Sequence, residues 1–314
     1  MPPFPSLRNR LRTASAAVVL ACLLGAMGCR GGLVQHMALR EAHLPVGQAA
    51  IARNTAPRLN PDLFRWLAPS NDRDWAPDQA VLPRAEFHGN QVTVRNIRNC
   101  DYRADDDYDV HYYDKTFDLD RLTSVDFIVV PFNDVPGIAH TMLSFGFDDR
   151  DYLGLSVEIR KERGEGYNPI KGFFRQYELM YVLADERDLI VRRTRHHLSD
   201  VYLYRSIATP SQCRELLLDV LQRVNKLHDE PEFYNTLTNN CTTNIRNHVN
   251  RLAPNRVPYD YRVLLPAHSD RLAFDLGLLE PRGSFEDTRA AAKINYQAYL
   301  HAKSPEFSRN LRLR

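Results

Sequence analysis

Cys241 sits in the run Tyr234-Asn-Thr-Leu-Thr-Asn-Asn-Cys241-Thr-Thr-Asn, a polar loop that opens a helix. That helix carries Ile245, Val249 and Leu252 on one side, and Asn239 or Asn240 stands where an N-cap belongs. A thiol in the first turn feels the positive end of the helix dipole. It also meets backbone N–H groups that lack intrahelical acceptors, and both effects favour the thiolate. Those N–H groups would also stabilise an oxyanion formed beside the sulfur. Read for structure alone, the residue is a half-buried cysteine in a polar loop.

A nucleophilic thiol needs a base. Among the eleven histidines, His140 is the best placed, early in the strand-like run Gly137-Ile-Ala-His140-Thr-Met-Leu-Ser-Phe. A lone imidazole among apolar neighbours is costly unless it has a partner or a task. The next strand sets Ser156, Glu158 and Arg160 on one face and Leu155, Val157 and Ile159 on the other. With Asp148-Asp149-Arg150 as a three-residue loop, Met142 lies opposite Ser156 and His140 opposite Glu158. A slip of one residue turns His140 toward Ile159 instead. Glu158 is therefore the first candidate to orient the ring and Ser156 the second; an outward, salt-bridged Glu158 is the structural alternative.

Other chemical candidates are weaker. His248 lies two turns along the cysteine's own helix, His196 and His197 form an exposed pair near a helix end, and His111 and His268 have no supporting pattern. The acidic stretch 101–109 lacks the glycine and terminal glutamate of a calcium loop. Residues 162–169 contain glycines without a phosphate-loop pattern and read as a flexible loop over the site. No metal and no cofactor is expected.

These residues need elements to hold them. Strand-like runs occur at 91–96, 124–132, 138–147, 152–162, 177–184 and 201–207. A charged amphipathic helix is expected over 185–196. Thr209-Pro210-Ser211-Gln212 opens another, with a hydroxyl cap, proline at the first position and Gln212 closing a capping box. Its apolar face is Leu216, Leu217, Val220, Leu221, Val224 and Leu227. A last helical stretch runs over 285–302, followed by a basic tail. Strands in the middle with helices behind them give an α+β class, a largely antiparallel sheet packed on helices.

The start of the chain predicts export. Arg8, Arg10 and Arg12 precede an apolar stretch from Ala14 to about Met27, which suits a signal peptide and is short for a membrane span. Small residues lead to Cys29, as in a bacterial lipoprotein signal, where Cys29 becomes the lipidated first residue. Ordinary cleavage and soluble secretion is the alternative. The expected organisation is a signal segment over 1–29, a proline-punctuated tether over 30–73, a main domain over 74–280, and a helical extension with basic tail over 281–314. Forty-one Lys and Arg against thirty-nine Asp and Glu give a formal charge of +2, which implies no polyanion or nucleic-acid partner. Beyond the signal segment, Cys100, Cys213 and Cys241 make an odd set in a compartment that permits disulfides, so at least one thiol should be free.

Taken together, several motifs resemble the periplasmic domain of Lnb-type lipoprotein N-acyltransferases. They are Val94-Arg-Asn-Ile-Arg-Asn, His140-Thr-Met-Leu-Ser-Phe, Ser156-Val-Glu-Ile-Arg-Lys-Glu, Tyr177-Glu-Leu-Met-Tyr-Val-Leu-Ala-Asp-Glu-Arg-Asp, Tyr234-Asn-Thr-Leu-Thr-Asn-Asn-Cys-Thr-Thr and Phe307-Ser-Arg-Asn-Leu-Arg. The resemblance spans about 74–312. It implies a permuted papain-like (NlpC/P60-like) domain with histidine before cysteine, and acyl transfer through a thioester on Cys241 with His140 as base and the oxyanion held by the Cys241 N–H with the Asn240 or Asn239 side chain. Lipid or lipoprotein acyl groups would be the substrates, reached from the membrane surface through the lipid anchor. Fuller members carry membrane-spanning helices after this domain, whereas a polar, basic tail follows here, so an integral-membrane partner or a hydrolase activity is expected in their place. The competing readings are a cysteine peptidase or cell-wall amidase on the same scaffold, and a non-catalytic envelope lipoprotein that binds a partner.

Overall fold

The computed structural model describes residues 68–104, 107–166 and 168–313. The expected signal segment, its Cys29 and most of the tether lie outside the described residues.

Alternating apolar residues build the strands, and their pairing forms one eight-stranded sheet. In chain order the strands are β1 (Arg84–His88), β2 (Gln91–Arg98), β3 (Asp101–Tyr102), β4 (Tyr108–Asp109), β5 (Tyr112–Asp118), β6 (Leu122–Pro131), β7 (Ala139–Phe147), β8 (Asp151–Arg160), β9 (Glu178–Ala184) and β10 (Tyr202–Arg205). The spatial order is β1-β2-β9-β8-β7-β6-β10, with β5 on β2, and β3 pairs β4 in a separate ribbon. One contact, Arg98 with Ala184 between β2 and β9, is parallel and the remaining ladders are antiparallel. The fold is thus α+β with a mixed, mostly antiparallel sheet.

The helices are α1 (Pro169–Phe173), α2 (Glu186–Val191), α3 (Pro210–Asp229), α4 (Cys241–Leu252), α5 (Tyr261–Leu264), α6 (Ser269–Asp275), α7 (Phe285–Ala292), α8 (Asn295–Leu300) and α9 (Phe307–Asn310). Helix α3 opens with the capping box between Thr209 and Gln212 that its sequence spells out. The stretch 285–302 is not one helix. It breaks between α7 and α8, where the Ile294 N–H turns away to the Val201 carbonyl and ties the segment to the sheet edge. None of these helices is long and apolar enough to cross a membrane, among the described residues.

The period of two along each strand divides the helices between two faces. Leu143, Phe145, Leu155 and Val157 pack against Leu217, Val220 and Leu221 of α3 and Ile245 of α4. On the other face, Met142, Met180 and Val182 meet Leu189 and Ile190 of α2 and Phe307 of α9. Gly154 permits the close seating of α2: a Cβ there would lie 2.5 Å from the Leu189 Cδ1. The chain leaves α2 through a π-helical turn, Arg192–His196, which aims Arg193 at Glu158 near the end of β8 and Arg192 at Asp78. Such turns are frequent at functional sites.

The sheet opens at one end. The β6–β7 ladder runs on to Pro131 with Ala139, and β8–β9 runs on to Arg160 with Glu178. Between them, β7–β8 stops at Met142 with Ser156. Residues 139–141 and 157–160 therefore diverge, and a cavity occupies the gap.

Candidate functional site

Helix α4 begins at Cys241. Asn240 caps it: its Oδ1 accepts from the Thr243 N–H at 2.9 Å, and its own N–H donates to the Thr243 Oγ1 at 2.8 Å. The Asn240 amide also donates through Nδ2 to the Thr236 carbonyl at 2.6 Å. Asn239 does different work, donating to the Phe233 carbonyl at 2.9 Å while its Oδ1 accepts from Asn244. Both side chains hold the loop that presents the thiol. The donors that helix geometry leaves without intrahelical acceptors are the backbone N–H groups of the first turn. Cys241 itself is buried, with its Sγ 3.8 Å from the Thr242 Oγ1.

A deeper network binds α4 to its neighbours. The Tyr181 hydroxyl on β9 donates to Asn244 at 3.0 Å and lies 2.9 Å from the His248 Nε2. The His248 Nδ1 meets Asp219 of α3 at 2.5 Å. His248 is fully buried and clamps the cysteine's helix, which is a structural use for a ring too far along the helix to act on the thiol.

His140 lies at the diverging end of β7. The loop between β7 and β8 is Asp148–Asp149–Arg150, and Met142 faces Ser156 in the ladder. Across the gap the His140 Nε2 lies 2.7 Å from the Ser156 Oγ, and that hydroxyl donates to the Glu158 Oε1 at 2.6 Å. A carboxylate can only accept, so the serine proton points at Glu158 and the ring must donate through Nε2–H. The lone pair then resides on Nδ1, which faces away from the serine. The structure thus brings His140, Ser156 and Glu158 into one chain, with the serine between the other two.

Glu158 is held ionised. The Arg193 Nη2 reaches its Oε1 at 3.2 Å, the Arg98 Nη1 lies 3.8 Å from Oε2, and Gln79 donates to Oε2 at 3.4 Å. Burial alone would raise its pKa, but Arg98 and Arg193 lower it well below the usual carboxylate range. Arg98 is itself fixed by Asp188, at 2.8 Å, so the buried charges balance. Burial, aided by the Arg193 charge, pushes the His140 ring down to about 3 and outweighs the pull of Glu158. The imidazole is therefore neutral at physiological pH.

The cavity in the gap measures about 330 Å³, and its walls include His140, Glu158, Asn240 and Cys241 with Arg193 and His197. Cys241, His140 and Glu158 line this one cavity although they come from α4, β7 and β8. Arg98, Gln79 and Arg193 escaped the sequence reading. The signal for Arg98 was an ionisable residue in the buried strand β2; Gln79 and Arg193 carried none.

The other cysteines stay apart: Cys100 and Cys213 are buried and free, each with burial raising its pKa to about 11. Among the described residues no cluster could hold a metal ion. Asp107 and Asp109 of the acidic stretch are engaged by Arg103 at 2.6 and 2.5 Å.

Fold and site define an α+β domain in which a helix-start cysteine and a His–Ser–Glu chain line one cavity. The family model of the Lnb N-terminal periplasmic domain matches residues 108–267, half of the chain, and the chain belongs to that family. The domain is accordingly an envelope module of the periplasm. The match contains His140, Ser156, Glu158 and Cys241, while Arg98 and Gln79 lie before it. No curated protein and no solved structure matches the chain.

Proposed function

We propose that the domain is an envelope thiol enzyme that transfers or hydrolyses acyl groups through a thioester on Cys241. What carries this reading is that His140, with its Nε2 committed to Ser156 and its lone pair left on Nδ1, lines the same cavity as Cys241. We further read the fold as permuted papain-like, since the histidine strand precedes the cysteine helix.

His140 Nδ1 takes the thiol proton as the sulfur attacks an acyl ester carbonyl. The tetrahedral oxyanion is met by the first-turn N–H groups of α4. As it collapses, the ester C–O bond breaks and His140 returns its proton to the departing alcohol, leaving the acyl-thioester. An amine, such as a lipoprotein amino terminus, or water then attacks the thioester and gives its proton to His140. The thiol is regenerated with release of an amide or an acid. Glu158 stays ionised throughout, and through Ser156 it keeps Nε2 protonated. Lipidation at Cys29 would hold the domain at the membrane surface where acyl esters reside.

The test is intact-mass analysis after incubation with a short-chain phospholipid. A single acyl adduct on Cys241 is expected, absent from Cys241→Ala and slowed at least about a hundredfold in His140→Ala. No adduct, together with cleavage of peptidoglycan fragments, would move the assignment to an amidase. A thiol inert to alkylation at neutral pH would end both.

A further inference from the structure

We infer a binding site for a single alkyl chain with an anionic head, in the apolar cavity along the flank of α4, with Arg246 and Arg256 receiving the head. The site stands on its own lining and not on the chemistry at Cys241.

The cavity measures about 280 Å³ and lies between α4, the first turns of α3 and the segment around α6. An apolar cavity of about 150 Å³ already admits benzene. Along α4 its wall runs from Thr242 to Leu252, a span of about 15 Å at the helical rise per residue. A wall of that length suits a linear chain. Its walls are dominated by aliphatic side chains, with Ile245 and Val249 facing Leu272 and Leu276. The polar groups in the wall are already engaged: Thr242 with Thr141 at 3.1 Å, Ser269 with the Pro266 carbonyl at 2.6 Å, and Gln212 with the Thr209 N–H at 2.9 Å. Ile207, 55% exposed, shows that the space opens to solvent.

The head is identified by charge. Arg246 and Arg256 both line the cavity, and among the described residues neither meets a carboxylate. The Arg256 Nη2 rests on the Leu276 carbonyl, and the Arg246 guanidinium lies over the Tyr259 ring at 5.6 Å. Most other arginines of this domain are paired with acids, as Arg98, Arg262 and Arg312 are. Two acid-free guanidinium groups beside an aliphatic slot complement a carboxylate or phosphate attached to a hydrocarbon chain.

Isothermal titration of the full chain with dodecyl phosphate, dodecanoate and dodecanol, each below its aggregation limit, tests the site. One equivalent of each anion should bind, and dodecanol about tenfold more weakly for want of a charge-assisted contact. Arg246→Ala with Arg256→Ala should reduce both anions to the level of dodecanol. Leu276→Trp and the gentler Ala273→Leu, each checked for a native melt, should block all three ligands. Cys241→Ser should bind as the natural chain does, so loss of catalysis and loss of this site are read separately. Tighter binding of dodecyl phosphate would indicate a phospholipid source, and tighter binding of dodecanoate a free fatty acid. The inference is overturned if no ligand binds, if the folded cavity-filling variants bind undiminished, or if dodecanol binds as tightly as the anions.

Discussion

The Ser156 hydroxyl, and not the Glu158 carboxylate, meets the His140 ring, at 2.7 Å. A carboxylate in direct contact would favour the imidazolium. With the serine between them, the ring keeps a defined tautomer while burial and Arg193 hold it neutral. A neutral ring has a lone pair on Nδ1 to accept a proton, while its burial makes it a weaker base than a free imidazole.

Ser156→Ala should therefore lower the rate of acyl-adduct formation about tenfold to a hundredfold, because Nε2 loses its acceptor and the tautomer is no longer fixed. The stability cost should be about 1–3 kcal/mol, read from urea melts, since Glu158 loses one donor. Glu158→Gln should cost more, about 3–5 kcal/mol, because Arg193 and Arg98 would then face the buried site with one carboxylate fewer. Equal rates in Ser156→Ala and the natural chain would remove the relay from the mechanism.

Stability should fall with acid, and the sign follows from both groups. His140 has a folded pKa below its ordinary 6.5, so the unfolded chain binds more protons and stability is lost as pH drops from 6.5 toward about 3. Glu158 is depressed from its ordinary 4.5, so its contribution is present above 4.5 and lost below it. His248 is lowered as well and adds to the upper window. In urea melts across pH, His140→Gln should flatten the slope between 6.5 and 4.5 and leave the loss below 4.5.

Asn240→Ala should destabilise the domain by about 0.5–2 kcal/mol through loss of the α4 cap. The Thr236 contact is lost with it, so the turn carrying Cys241 loosens. Alkylation kinetics of Cys241 should change in Asn240→Ala and return toward the natural rate in Asn240→Asp, which keeps the capping oxygen.

Arg312→Ala should be among the most damaging substitutions far from the cavity. Its guanidinium reaches Asp126 at 2.6 Å and Glu186 at 2.7 Å, both carboxylates fully buried. Removing it leaves them undercompensated, at a cost of about 3–5 kcal/mol. Arg312→Lys should recover little, because one ammonium cannot span two carboxylates as a planar fork does. Thermal melts of the two variants decide it.

Arg312 also marks what the sequence could not convey. Linear reading places it in a polar, basic tail; the fold brings it over the Tyr152 ring, 3.7 Å from the centroid, between β6 and α2. Charge alone does not say whether a residue is solvated or threaded between two acids. The caps were legible, since Thr209 and Gln212 act within three residues of each other. The hairpin was legible too, because a three-residue loop sets the register of everything above it.

The sequence by itself determined the α+β class, the helix that starts at Cys241, the family and the parity that puts Ser156 and Glu158 on one face. These depend on local spacing, which the backbone periods convert directly into geometry. Tertiary structure alone decided that β7 and β8 part beyond Met142 and Ser156, that a cavity fills the gap, and that Arg98 and Arg193 converge on Glu158. Those contacts join residues far apart in the chain. No local rule reaches across such distances; the packing of helices on both faces of one sheet does.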